Sequence, residues 1–317
     1  MYYIGIDVGG TGLKAGVVSE EGKILHKCAC PTGMERGHEA VIHDMAQLTL
    51  KTIAEFGCSL DDIHSIGIGI PGVFDPATGR VPFCTNLNWI DVPLIELMQQ
   101  EIDKPVYINN DATVAGLAES VAGVSASVKN SVFVTLGTGV GGGVVIDGKV
   151  FMGPHGIASE VGHMTILAGG ELCTCGNRGC WERYASATAI IREGRRFAEA
   201  HPDCPLAKSV GGDLSKIEAR TVIDLAKAGD PDCTKLFDDY VFYLCVGLAN
   251  LVNLYDPEII ALGGGVSHAG EFLLDKVRAK LPELIFYKTM PYAKIELARL
   301  GNDAGIIGAA MLGRQEV

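Results

Sequence analysis

Asp7, Thr11 and Lys14 stand within one glycine-rich stretch, Tyr2 to Val18, whose order of apolar run, glycine turn and apolar run predicts a hairpin with its polar groups at the tip. Gly9 and Gly10 let backbone N–H groups approach an anion without interference from Cβ atoms, while Thr11 and Lys14 offer a hydroxyl and a positive charge to phosphate oxygens. Asp7, at the strand end, is placed to hold Mg2+ through its waters. A second such transition lies at 131–146, where an apolar strand runs into Gly137, Thr138 and Gly139 and back out; a third passes through Gly263, Gly264 and Gly265. The first two read as an internal duplication. Neither GxxxxGK[ST] nor GxGxxG opening a helix after a strand is clearly present.

Asp111 falls where the strand PVYINND meets the helix ATVAGLAES. There it would serve as an N-cap at the positive end of the helix, which alone explains an Asp. Alternatively, in the cluster Asn109, Asn110 and Asp111 just before the second glycine loop, it could orient a sugar hydroxyl and accept its proton. Asn86, Asn88 and Trp89 suit carbohydrate contacts, since hydroxyls need paired donors and acceptors and a sugar ring packs on apolar surface. His163, Cys173, Cys175 and Cys180 lie in an 18-residue window and meet the tetrahedral requirement of a structural Zn2+ site, with no open position for a catalytic water. Glu160 and Glu182 flank that set. A clamp fixing both flanks would aim the two carboxylates at a common point, where they could accept hydrogen bonds from sugar hydroxyls.

These residues need a framework large enough to hold them. The chain has 317 residues, 48% of them hydrophobic, and a mean hydropathy of +0.25, enough for a sizeable core and better suited to two domains than one. Its 26 Lys and Arg against 38 Asp and Glu give a net charge of -12, which opposes nonspecific binding to nucleic acid or anionic membranes. The expected ligand is therefore a small molecule, with no nucleic-acid or membrane partner. No stretch approaches a membrane span, and no signal peptide is evident. Ten cysteines without an export signal suggest reduced thiols or metal ligands in a cytoplasm.

Periodicity predicts a strand before Pro31, a helix over 37–56, a buried strand in HSIGIGIPG, and helices over 187–201, 219–227 and 232–255, the last apolar nearly all round and so expected to be buried. FDPATGRV reads as a turn and CTNLNWIDVPL as irregular; GEFLLDKVRAKL is an amphipathic helix, AKIELARL a strand and GNDAGIIGAAMLG a closing helix.

DVGGTGLKAG (7–16), GIPG (69–72), TNLNW (85–89), NNDATVAGLAE (109–119), LGTGVGGG (136–143), SEVGH (159–163), CTCGNRGCWE (173–182) and LGGGVS (262–267) together resemble the ROK family of bacterial repressors and sugar kinases over essentially the whole chain, and within it ROK glucokinases. The resemblance implies an α/β, actin-like ATPase fold with two α/β domains flanking a deep cleft and a duplicated hairpin core. The small domain is expected at 1–112, joined by a C-terminal helix over 303–317, and the large one at 113–302 with the zinc-binding segment 163–180. The resemblance also implies that two hairpins grip the phosphates of ATP, that the third loop meets the adenosine, and that Asp111 is the catalytic base. Asn110, Glu160, His163 and Glu182 would contact sugar hydroxyls, with His163 also binding zinc.

The implied activity is ATP- and Mg2+-dependent phosphorylation of a hexose at its 6-hydroxyl, with glucose as the expected sugar. An N-acetylmannosamine or N-acetylglucosamine kinase is the alternative, since discrimination at C2 rests on a few contacts near Gly72, Val73 and Thr85. Two positions depart from the commonest glucokinase form: Asn88 replaces Gly, and Val73 replaces the Pro of many relatives. A sugar-responsive repressor is the rival from another class; it needs a helix-turn-helix ahead of the first hairpin, where six residues precede Asp7. The expected assembly is a homodimer or homotetramer.

Overall fold

A computed structural model describes residues 1–315; the end of the expected closing helix, Glu316 and Val317, lies outside the described residues. Strand β1 (Tyr2–Val8) turns through Gly9, whose N–H reaches the carbonyl of Gly12 at 3.0 Å, into β2 (Gly12–Val18), and β3 (Ile24–Pro31) follows at the sheet edge. Helix α1 (His38–Phe56) buries Val41, Met45, Leu48 and Thr52 and ends at Gly57, whose φ of 86° needs a residue without a Cβ. Next come β4 (Ile63–Ile70), the short strands β5 (Val73–Asp75), β6 (Arg80–Cys84) and β7 (Trp89–Val92), then α2 (Leu94–Glu101), β8 (Val106–Asn110) and α3 (Asp111–Val121). Strands β9 (Ser131–Leu136), β10 (Val140–Ile146) and β11 (Lys149–Val150) precede helices α4 (Glu182–Ala185), α5 (Ala187–Ala200), α6 (Pro205–Ser209), α7 (Ala219–Lys227) and α8 (Pro231–Tyr255). The described chain closes with β12 (Ile259–Gly263), α9 (Glu271–Leu284), β13 (Lys294–Leu297) and α10 (Ala304–Leu312).

The two five-stranded sheets have one plan. Their orders, β3-β2-β1-β4-β8 and β11-β10-β9-β12-β13, match position by position: β3 lies antiparallel to β2 as β11 does to β10, and β8 parallel to β4 as β13 does to β12. The duplication expected from the glycine turns thus extends to whole sheets.

The chain forms two compact units, 1–133 with 143–159 and 298–317, and 134–142 with 160–297. The first reaches further than the expected 1–112, because α3 packs on α10 instead of starting a new domain. Helix α10 lies so close to the first sheet that a Cβ at Gly5 or Gly67 would overlap the carbonyl oxygens of Ile306 and Ala309, and one at Gly308 would overlap that of Val114 on α3. Glu119, 1% exposed, holds this return of the chain: Oε1 accepts the N–H groups of Arg299 and Leu300, each at 2.8 Å, and Oε2 that of Val124 at 2.8 Å. A carboxylate without such donors would be costly in this interior.

Two expectations need correction. The stretch read as a turn and an irregular loop is a small antiparallel sheet, β5-β6-β7. In the second unit α8 is not buried all round, since Phe242 and Leu254 are exposed on it while Phe237, Leu244 and Leu248 are buried.

Candidate active site

In the first unit, Asp7 and Lys14 face each other across the β1–β2 ladder, and Lys14 Nζ donates to Asp7 Oδ2 at 3.0 Å. Gly9, Gly10 and Thr11 form the tip, with Thr11 exposed. Thr32, which sequence reasoning passed over, fixes that tip: its hydroxyl donates to Gly9 O at 2.6 Å and its N–H to Thr11 O at 3.3 Å. The start of α10 closes behind Asp7, leaving no room for a side chain at Gly305, and so turns positive helix-end dipoles toward that carboxylate.

The loop 85–88 comes to the same tip, a Cβ at Gly10 lying 3.5 Å from the carbonyl oxygen of Asn86. Thr85 and Asn86 are exposed. Gly72 is obligatory by close approach, because a Cβ there would sit 2.8 Å from Cys84 Cβ and from Phe83 O. Asn88 has φ 54°, the left-handed region that Asn tolerates best after Gly, so this departure from the family form keeps the backbone the loop needs. Trp89 is 2% exposed and belongs to the core, not to a sugar-facing surface as expected.

The cap of α3 is Asn110, not Asp111. Its Oδ1 accepts from the N–H groups of Ala112 at 2.9 Å and Thr113 at 3.4 Å, while its Nδ2 donates to Gly72 O at 3.3 Å. Asp111 is the first helical residue, exposed, with Oδ1 accepting the Ala112 N–H at 2.8 Å. Cys84 lies near enough to feel its charge; burial first, and Asp111 in smaller part, push the Cys84 thiol up. The first turn of α3 lies against the second glycine strand, since a Cβ at Gly143 would stand 2.9 Å from Ala112 O.

In the second unit, the tip Gly137–Thr138–Gly139 is tied to the head of α5: the Ala187 N–H reaches Gly137 O at 2.8 Å, and the Thr188 hydroxyl reaches Thr138 O at 2.6 Å. Glu182 Oε2 accepts the Val140 N–H at 3.1 Å and fills the space a side chain on Gly139 would need. Gly264, at φ 81°, packs onto the backbone of Leu136, bringing Gly263 to Gly265 against the base of the second hairpin. Glu160 is exposed, and its carbonyl accepts the His163 N–H at 3.1 Å.

The ligand atoms of His163, Cys173, Cys175 and Cys180 all lie within 4.8 Å of one another. Cys175 Sγ is 3.6 Å from Cys180 Sγ, and Cys173 Sγ is 3.7 Å from His163 Nδ1. A tetrahedral zinc site has edges of about 3.6 to 3.8 Å, so the donor set fits such an ion. Burial pushes the Cys180 thiol up to about 12, while the Asn177 backbone N–H draws that of Cys175 down. Cys173 Sγ also stands 3.9 Å from Glu182 Oε1, so the cluster and the second hairpin share one carboxylate.

A pair of matched sheets, each offering a glycine hairpin, is the arrangement of actin-like ATPases, and the solved structures resembling this chain include sugar kinases of that class. The chain belongs to the ROK family, whose model matches residues 3–316. It is 36% identical over 319 residues to a glucokinase of Halalkalibacterium halodurans, covering 99% of this chain and 96% of that one. It is 30% identical over 305 residues to a xylose repressor of Caldicellulosiruptor bescii, covering 96% of this chain and 76% of the repressor. Among structures, a Streptomyces griseus ROK glucokinase in complex with glucose and AMPPNP matches with a TM-score of 0.80 at 34% identity, covering 99% of this chain and 100% of that chain.

Proposed function

We propose that this chain is an ATP-dependent hexokinase that phosphorylates the 6-hydroxyl of glucose. The observation that carries the reading is the one-residue division of labour at the head of α3. Asn110 supplies the side-chain cap of α3 and also holds Gly72 O, and Asp111, one residue on, stands exposed at the head of the helix. The glucokinase relative and the glucose and AMPPNP complex support the same reaction and donor.

In this mechanism the Asp111 carboxylate takes the proton of the 6-hydroxyl as its oxygen attacks the γ-phosphorus, and ADP leaves. The N–H groups of Gly9 to Thr11 and of Gly137 to Gly139, with Lys14, hold phosphate oxygens, and Gly263 to Gly265 meet the adenosine. Asp7 would hold Mg2+ through its waters, and the ion would supply charge neutralisation of the phosphates. Thr85, Asn86, Asn110, Glu160 and Glu182 hold sugar hydroxyls. His163 turns Nδ1 to the cysteines, leaving Nε2 for a hydroxyl. His163, Cys173, Cys175 and Cys180 would hold a structural Zn2+, which would fix the segment between Glu160 and Glu182. All ten cysteines are unpaired by disulfides, which suits a reducing cytoplasm. No helix among the described residues is long and apolar enough to cross a membrane.

The test is kcat/KM over glucose, mannose, fructose, allose, N-acetylmannosamine and N-acetylglucosamine, with ADP release as the readout. Glucose should lead; another sugar well ahead of it moves the assignment within kinases. Stable DNA binding without sugar-dependent ADP release moves it to the repressors.

A further inference from the structure

Alternate residues of a strand share a face, and on β3 this puts His26 and Cys28 half-buried toward α1. Glu55, near the end of α1, completes a triangle with them. Cys28 Sγ is 3.2 Å from Glu55 Oε2 and 3.5 Å from His26 Nε2, and His26 Nε2 is 3.2 Å from the same Glu55 oxygen. Neither glycine hairpin's tip and none of the Cys173 cluster takes part.

The triangle is short of protons. Cys28 can give its S–H to Glu55, and His26 can give one N–H to Glu55, but the sulfur-to-nitrogen side then has no hydrogen of its own. One cation at the centre satisfies all three sides. A tetrahedral site with bonds of 2.0 to 2.3 Å has edges of about 3.3 to 3.8 Å, close to those observed and to those of the Cys173 cluster. Thiolate with imidazole selects a borderline-soft divalent ion, and thiolate with carboxylate neutralises its charge. Lys51 lies 3.8 Å from Glu55 Oε1, the other carboxylate oxygen, and leaves Oε2 turned to the triangle.

We infer that His26, Cys28 and Glu55 form a second metal site, for Zn2+ or an ion of its class, with its fourth position open to solvent. The Cys28 thiol releases its proton to water as the sulfur-metal bond forms. With one thiolate among its ligands the site binds more weakly than one with three. Its occupancy ties the edge strand to α1 a few residues before Thr32, whose hydroxyl holds Gly9. The ion therefore stiffens the support behind the first hairpin.

The full-length protein, as purified without chelator, is titrated with Zn2+ against a chromophoric chelator, and its melting temperature is followed in parallel. The wild type should take up a weaker equivalent with Kd roughly micromolar and melt higher as it does. Cys28→Ser and His26→Gln should each lose this equivalent and its Zn2+-dependent rise in Tm, whereas Cys175→Ser should keep both. Both changed side chains are partly exposed and near in size to the originals, so the fold persists. No weaker equivalent in the wild type, its retention in Cys28→Ser, or a Tm loss in that variant independent of Zn2+ would overturn the assignment in favour of a purely hydrogen-bonded triad.

Discussion

The two glycine hairpins share a backbone plan and differ in where their chemistry comes from. The first carries it on its own strands: Asp7 and Lys14 pair across β1 and β2, and the tip is tied down by Thr32 on the adjoining segment. The second has no charged residue between Ser131 and Ile146. Its carboxylate, Glu182, arrives from beyond the cysteine cluster, and its tip is tied to α5 through Ala187 and Thr188. Duplication kept what glycine and strand pairing specify, namely N–H groups gathered at a turn. Side chains were free to diverge, so one hairpin became a charge-bearing element and the other a neutral cradle governed by the cysteine segment.

The sharpest test of this division is made at Asp111. Asp111→Asn should lower kcat by roughly a hundredfold or more with sugar binding largely kept, because the loss is confined to the transition state. The melting temperature should hardly move, since Asn110 retains the cap. Near-native turnover would take the base assignment away from Asp111.

Stripping the proposed Zn2+ from His163, Cys173, Cys175 and Cys180 should strike the second hairpin's borrowed side chains. The sugar KM should rise by roughly tenfold before the ATP KM responds. Well under one zinc per chain in protein purified without chelator would break the zinc reading. Lys14→Met should do the converse, raising the ATP KM by up to about tenfold as one charge-assisted contact to phosphate is lost. Stability should change by less than about 0.5 kcal/mol, because Lys14 is 43% exposed and its pair with Asp7 is screened. Thr188→Ala should have the smallest effect, a loss of about 1 kcal/mol in stability from one hydrogen bond and little change in either KM. If it instead matched Lys14→Met in kinetics, the second cradle would depend on its anchor as much as the first depends on its charge.

Glycine turns, helical spacing and the cysteine spacing were legible because each is a local pattern. The capping register was not: in Asn109-Asn110-Asp111 all three types cap a helix, and a shift of one residue decides which is left for chemistry. The β5-β6-β7 sheet was hidden by strands of three to five residues that carry Pro and Asp. Glu119 carried no signal of its role, because two of the three N–H groups it accepts lie 180 and 181 residues further on. Trp89 was misplaced because an indole beside asparagines looks the same whether it lines a sugar site or fills a core.

The close seat of α10 on β1 and β4 sets an order on synthesis. The surface around Gly5 and Gly67 is translated first, yet the helix that covers it emerges only after Glu160–Leu297 has been made. At about 5–20 residues per second the ribosome needs on the order of ten seconds for that intervening stretch. Through that interval the nascent first sheet presents an apolar face with no partner of its own. The second unit has its sequence complete while the first still waits, so the part of the chain that starts first is the one that finishes folding last.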